Sequence, residues 1–579
     1  MSVSFWKAES KIPIEQTSKA ITALNGLSFS SGQELRIKVP PTTQFIKPDE
    51  CYIQADFKII PDKVNACNVA LQLDERLAGQ SLIRDISIYS SAEKGSVLLE
   101  QITNYNSMVS VMRDYDTNDS IKNKRALTES CTVWNPRTRG TLGSTRSECA
   151  DCTETNPYFT ATYNGTGNKV ADTLAYKTVK LQIPLETGIF RSPKVWVNML
   201  TGLEIVITLE DAYKCVRPLD SVMRNRRLTL NPRFHSTNGS SAPNNWLNGS
   251  GTDTFYITKD NSNITPKTCP FQVGERINFV DPTNAHVASF NNAPIIAEIN
   301  SSATANNGDG LLQIKLDAVC TNNGSNIVSG SWFMYSNSLH TADNAYKVGY
   351  SLSNVELVVQ EVDMGSNYVN SVMNSMKEKG MIVHDILSAQ NYRYSQVAGD
   401  VVSSIRLPLI NSRAKSLICV PTDATVYTEK NLMNGHLTYD INGGHDPDKT
   451  LFAVNQFRGI SDHITDYQFI YDGRLQPSRP VRCSKTSSKI SIDSQPLIEL
   501  TKALQQAEIS GRSLADFNNN FIVSRALALN SGVYDTRNKD FTLNVNYQGT
   551  TPTKNKLWNN FCFHLRRIYI RGDSISVEY

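Results

Sequence analysis

Long apolar runs are missing from this sequence. No window approaches the ~18 uninterrupted apolar residues that a membrane helix needs, and mean hydropathy is −0.33. A surplus of either charge is missing as well. Lys and Arg number 58 against 55 Asp and Glu, a formal net charge of +3. That balance argues against a dedicated nucleic-acid binder, which carries a basic excess, and against an acidic solvating tail. The opening stretch from Met1 to Ser10 has no charged segment leading into an apolar one, so no secretory signal is expected and the chain should be made in a reducing compartment. The 11 cysteines are odd in number and scattered from Cys51 to Cys562. They read as small buried hydrophobes rather than as a disulfide framework.

Catalytic signatures are equally sparse. There is no GxSxG, Walker A loop, GxGxxG or HExxH. The eight histidines, His235, His286, His340, His384, His436, His445, His463 and His564, show no paired metal-ligand spacing. Cys149 and Cys152 form a CxxC, but a tetrahedral zinc site wants a second pair at similar spacing and none follows. Gly443-Gly-His-Asp-Pro-Asp448 is the most site-like cluster, and its Gly-Gly and Asp-Pro pairs make it a turn first. Arg571-Gly-Asp573 reads as the turn of a terminal hairpin. Arg217, Arg224, Arg226 and Arg227 could contact phosphate, yet the run is too short to be specific. Several Asn-x-Ser/Thr sequons, including those at Asn164, Asn238, Asn248, Asn263 and Asn323, reflect the composition of exposed loops. No catalytic residue, cofactor site or metal site is therefore expected, and the chain is read as a non-enzyme.

What the sequence does contain is period-two alternation. Leu35, Ile37 and Val39 alternate with Arg36 and Lys38, and Ile53, Ala55, Phe57 and Ile59 with Gln54, Asp56 and Lys58. The pattern returns at 179–183, 203–209, 312–316, 541–547 and 575–579. Successive strand side chains point to opposite faces, so these runs predict half-buried strands in antiparallel sheets. Helical period is confined to Ile102, Tyr105, Val109 and Met112, to Val369, Val372, Met373 and Met376, and to 497–508. Hydrophobic residues make up 40% of the chain, enough for real cores, and about 150 residues per domain would give four. Between about 236 and 345 the composition turns to Asn, Ser, Thr and Gly, with strand-like runs at 255–258, 276–280 and 295–299. This is the signature of an exposed β-rich insertion.

In order along the chain, several segments resemble the major capsid proteins of double jelly-roll viruses, above all the virophage and polinton-like virus group. They are Leu27 to Pro40, Cys51 to Phe57, Leu82 to Tyr89, and Val97 to Asn106 with its Asn-Tyr-Asn. Lys180 to Leu185, Gly188-Ile-Phe190, Leu203 to Leu209 and Asn354 to Val362 are similar to late strands of that group's first roll. Phe469-Ile-Tyr-Asp-Gly-Arg474, with Asp472 where Asn is usual, and Phe521 to Leu529 with Ser531-Gly-Val533 resemble its second.

The resemblance implies an all-β double jelly roll: two antiparallel eight-stranded β-sandwiches with short helices in loops and an inserted tower. The expected divisions are an N-terminal arm over 1–25, a first jelly roll over 26–365 holding a tower at about 220–345, and a second over 366–579. It further implies a structural subunit of a virion capsid. Three copies would form a pseudo-hexameric capsomer that tiles an icosahedral shell around a double-stranded DNA genome. The expected partners are the chain itself, penton and minor capsid proteins, packaged DNA only indirectly, and a host surface receptor met through the tower. Two rival readings stand beside it. One is a carbohydrate-binding or adhesin β-sandwich using Trp134, Trp246 and Trp332. The other is a β-rich hydrolase using His445, Asp446 and Asp448.

Overall fold

Period-two runs become strands, and their order in the sheets defines the architecture. The computed structural model describes residues 15–42, 44–61, 71–74, 77–91, 96–115, 125, 128–130, 158–162, 173–198, 201–218, 227–230, 254–257, 277–280, 296–302, 311–317, 332–336, 348–400, 402–424, 457–461, 464–483, 494–509, 520–528, 532–547, 555–571 and 574–578. Eight strand positions succeed one another in the first half. They are Glu15–Thr22 with Ser28–Ser30, Glu34–Val39, Tyr52–Pro61, Ile83–Ser91, Leu98–Ile102, Val179–Pro184, Gly202–Leu209 and Val348–Asp363. Eight more follow in the second half: Ile382–Gln396, Val402–Leu407, Ala414–Asp423, Asp466–Tyr471, Arg474–Arg482, Val523–Ala526, Phe541–Asn546 and Lys556–Arg571.

Counted one to eight along each half, the strands lie in one sheet in the order 1-8-3-6 and in the other in the order 2-7-4-5, in both halves alike. Every pairing is antiparallel. This order is that of a jelly roll, two Greek keys folded into facing sheets. The chain is thus two jelly rolls in tandem. Each roll also carries a helix between its fifth and sixth strands, Tyr105–Tyr115 in the first and Ser494–Gln506 in the second. Short extra strands enlarge the sheets. Phe45–Ile46 and Trp196–Val197 extend the first roll, and Ser574–Glu578 folds back on Lys556–Arg571.

Alternation sets the inside of each roll. Glu34–Val39 buries Leu35, Ile37 and Val39, and Phe541–Asn546 buries Phe541, Leu543 and Val545. Apolar area removed from water is worth roughly 25 cal/mol per Å², so each inward row holds its strand in register. The strand Ala414–Asp423 departs from alternation and is buried on both faces, because the helix Ser494–Gln506 covers its outer face with Leu500, Ala503 and Leu504. At the turn between Asp466–Tyr471 and Arg474–Arg482, Asp472 has φ 54° and Gly473 φ 68°. Positive φ at both central residues is the backbone of a two-residue hairpin turn, which Asp tolerates and Gly prefers.

Residues 15–22, which lie within the stretch read as an N-terminal arm, form a full strand position paired with Val348–Asp363 from Glu15↔Asp363 to Thr22↔Glu356. Backbone pairing holds this strand, since nearly all its side chains are exposed, and for that reason its sequence shows no apolar alternation. The insertion between the seventh and eighth strands of the first roll contains two three-stranded sheets. One joins Arg227–Leu230, Ile277–Val280 and Trp332–Ser336, and the other Thr254–Ile257, Ile296–Ser302 and Leu311–Leu316.

Candidate assembly surfaces and the seam between the rolls

The fifth strand of the first roll meets the first strand of the second along a buried polar seam. Glu100, 1% exposed, projects into it from Leu98–Ile102. Its carboxylate accepts from the Gly188 N–H at 2.8 Å, the Ile189 N–H at 3.1 Å and the Ser388 hydroxyl at 2.7 Å. Burial pushes this carboxyl above its ordinary range, while those three donors and Arg566 pull against the shift. Arg566 itself donates to the Leu98 carbonyl across the seam. Gly188 is glycine for a steric reason. A Cβ there would lie 2.4 Å from the carbonyl oxygen of Leu387, so only a bare backbone lets the rolls approach this closely.

The Asn-Tyr-Asn motif completes the seam. Asn104, in a left-handed turn with φ 49°, donates to Asn559 Oδ1 at 2.6 Å, and Asn391 donates to the same oxygen at 3.1 Å. The Tyr105 hydroxyl donates to Gln80 and accepts from the Glu186 N–H, and Asn106 donates to Glu210. At the far end of the helix Tyr105–Tyr115, Asp114 accepts from Arg458 at 3.3 Å and from Asn520 at 2.8 Å. Trp196 packs against His384 with ring centroids 4.5 Å apart and the rings tilted by 33°. The contacts of Asn104, Asp114 and Trp196 reach from the first roll into the second, those of Asn104 and Asp114 across 344 to 455 positions, and make the two rolls one block.

The ionisable groups buried near the seam are structural in their surroundings. Burial drives His384 down to about 3 and His564 down to about 4, so both imidazoles are neutral at pH 7. Arg113 grips Glu129 with two bonds of 2.9 and 3.1 Å. Burial still raises the Glu129 carboxyl to about 7 against the pull of Arg113. Asp385 sits opposite Arg567 in register and accepts from it at 2.7 and 3.1 Å, with Arg413 at 3.3 Å. Burial raises that carboxyl, but the two arginines outweigh it and leave it below its ordinary value.

Most of the residues singled out in the sequence fall outside the described part of the chain. Cys149, Cys152, Trp134, Trp246, Arg224, Arg226, His445, Asp446, Asp448 and the sequons at Asn164, Asn238, Asn248, Asn263 and Asn323 lie outside the described residues. Trp332 and Arg227 begin strands of the insertion, and Arg217 lies in the short strand Val216–Pro218. Arg571 pairs with Ser574 across the terminal hairpin. Among the described residues, Cys51, Cys215, Cys419, Cys483 and Cys562 are buried thiols outside any disulfide, and burial holds the Cys51 and Cys562 thiols up to about 12. No group of three or more His, Cys, Asp or Glu could hold a metal ion among the described residues, and no helix there is long and apolar enough to cross a membrane. The seam residues had no sequence signal beyond the Asn-Tyr-Asn and Gly188 segments, because their partners lie in the other roll.

No protein-family model matches the chain, and no curated protein sequence matches it. Solved structures do. The major capsid protein of Faustovirus is 8% identical, with 96% of this chain and 90% of that chain covered and a TM-score of 0.46. The mavirus major capsid protein is 7% identical, covering 99% and 93%, with a TM-score of 0.42. A chain of the Sputnik virophage structure is 10% identical, covering 98% and 88%, with a TM-score of 0.44. By its own strand order the chain is a double jelly roll, and viral major capsid proteins are among the structures it is similar to.

Proposed function

We propose that this chain is a structural shell subunit, the major capsid protein of a virus. The observation that carries the reading is the duplication of one jelly roll in a single chain, with the copies fixed side by side by the buried seam. Such a block offers two similar lateral faces. Three copies around a threefold axis would present six rolls, a pseudo-hexagonal outline that tiles a closed icosahedral surface. The near-neutral charge suits close packing of many copies, since like-charged subunits repel.

In this reading the first unit runs from residue 15 to 365 and includes the insertion over about 220–345, while the second covers 366–579. The contacts within a capsomer are large and persistent, above about 2,000 Å², and those between capsomers are smaller and weaker. The insertion faces outward, where exposed polar loops cost little and where a host receptor would meet it. Penton and minor proteins complete the shell, and DNA is enclosed without being bound directly. The function is assembly rather than catalysis, and the chain works in the virion.

Electron microscopy of the purified protein at high concentration tests this. Six-lobed particles, alone or joined in a lattice, are expected. Elongated two-lobed particles at every concentration would overturn the proposal.

A further inference from the structure

The two sheet edges farthest from the seam carry opposite charge that ion pairs among the described residues leave largely unmatched, although Asp466 lies across from Arg482 in register. In the second roll the strand order puts Arg474–Arg482 at an outer edge. Arg474, Arg479 and Arg482 are all exposed, and their guanidinium groups have no partner among the described residues. Arg525 nearby is different, being held by Glu499 at 2.8 Å. The edge is also blunted against strand addition. Gln476 pairs with Phe469 and Val481 with Tyr467, so the segment between bulges outward, and Pro477 and Pro480 lack N–H donors. What this edge offers a partner is arginine side chains.

At the opposite end of the molecule, Glu15–Thr22 forms the outer edge of the first roll. Glu15 lies directly across from Asp363, and Glu356 lies across from Thr22 at the other end of the same pairing. Like charges facing each other across strands cost stability when nothing offsets them. Lys19 reaches Glu361 at 3.9 Å and leaves Glu15, Glu356 and Asp363 without a basic partner among the described residues.

We propose that the Arg474–Arg482 edge of one copy docks on the Glu15, Glu356 and Asp363 edge of a second copy. The inference rests on the shell reading and names the surfaces that meet. Different patches at opposite ends make a head-to-tail contact, the kind that closes into rings. Arginine forks suit carboxylates, and side-chain charge is the means of recognition that the blunted edge leaves open.

Sedimentation of the full chain tests it, using Arg474→Glu/Arg479→Glu/Arg482→Glu, Glu15→Lys/Glu356→Lys/Asp363→Lys, and a chain carrying all six changes. Each triple variant should need at least about tenfold more protein to associate, and the six-change chain should recover association because its edges are again complementary. Wild-type association should weaken as salt rises from about 0.05 to 0.5 M. Association of the arginine variant at wild-type concentrations would overturn the inference and leave the shell reading standing. So would wild-type association that is indifferent to salt, or failure of the six-change chain to recover. Loss of duplex DNA binding with unchanged self-association would assign the edge to nucleic acid and overturn the inference. A wild-type chain that never associates would overturn both.

Discussion

Neutral histidines in a dry interior tie the stability of this fold to pH. His384 and His564 hold folded values of about 3 and about 4, below their ordinary 6.5. Below pH 6.5 the unfolded chain therefore binds more protons than the folded one, and stability rises with pH across that window. The contribution of both residues is complete above about 6.5; that of His564 is lost as pH falls through about 4 and that of His384 as it falls through about 3. Glu129 acts in the opposite sense. Raised from 4.5 to about 7, it contributes stability below 4.5 that is lost as pH rises through 7. Comparing variants separates the two. The thermal midpoint of the wild type should fall more steeply between pH 6.5 and 4 than that of His564→Asn, whose side chain does not titrate. Parallel curves would show that His564 is not the group responsible. Glu100 belongs to the same scale. It was invisible as a partner of Ser388 in the sequence, since 288 residues separate them and no spacing rule spans that distance.

Strands and helices were legible where one face is wet. The alternations at 35–39, 53–59, 179–183 and 203–209 fall in strands, and that at 541–547 in a strand that ends at Asn546. Of the helical stripes, Tyr105, Val109 and Met112 fall in Tyr105–Tyr115 while Ile102 ends the strand before it, the second falls in Ser366–Lys379, and that at 497–508 lies in Ser494–Gln506 up to Gln506. Two kinds of strand gave no such signal. Ala414–Asp423 is covered on both faces and so has no period. Glu15–Thr22 is exposed on both and is held by backbone bonds that any sequence can make. The seam is the element-scale feature most open to test. Gly188→Ala would force a methyl against the Leu387 carbonyl and strain three donors to Glu100. A loss of about 2–4 kcal/mol is expected from overpacking and loosened buried hydrogen bonds, read as a lower denaturant midpoint. A variant as stable as the wild type would mean that the rolls do not meet where the structure places them.

At the scale of the whole molecule, duplication is the informative fact. Residue order alone suggested two rolls through a resemblance, while the sheets show it independently, because both halves repeat the orders 1-8-3-6 and 2-7-4-5. The candidate chemistry of the sequence, a CxxC and a His-Asp cluster, fell outside the described residues. The surfaces that matter to the proposed function are edges and a seam, features that exist only once the chain is folded. A shell subunit must associate with itself. The native mass of the purified chain in dilute solution tests that most directly. The account predicts a stable species of three times the 64.4 kDa chain mass; a monomer at every concentration and salt would contradict it.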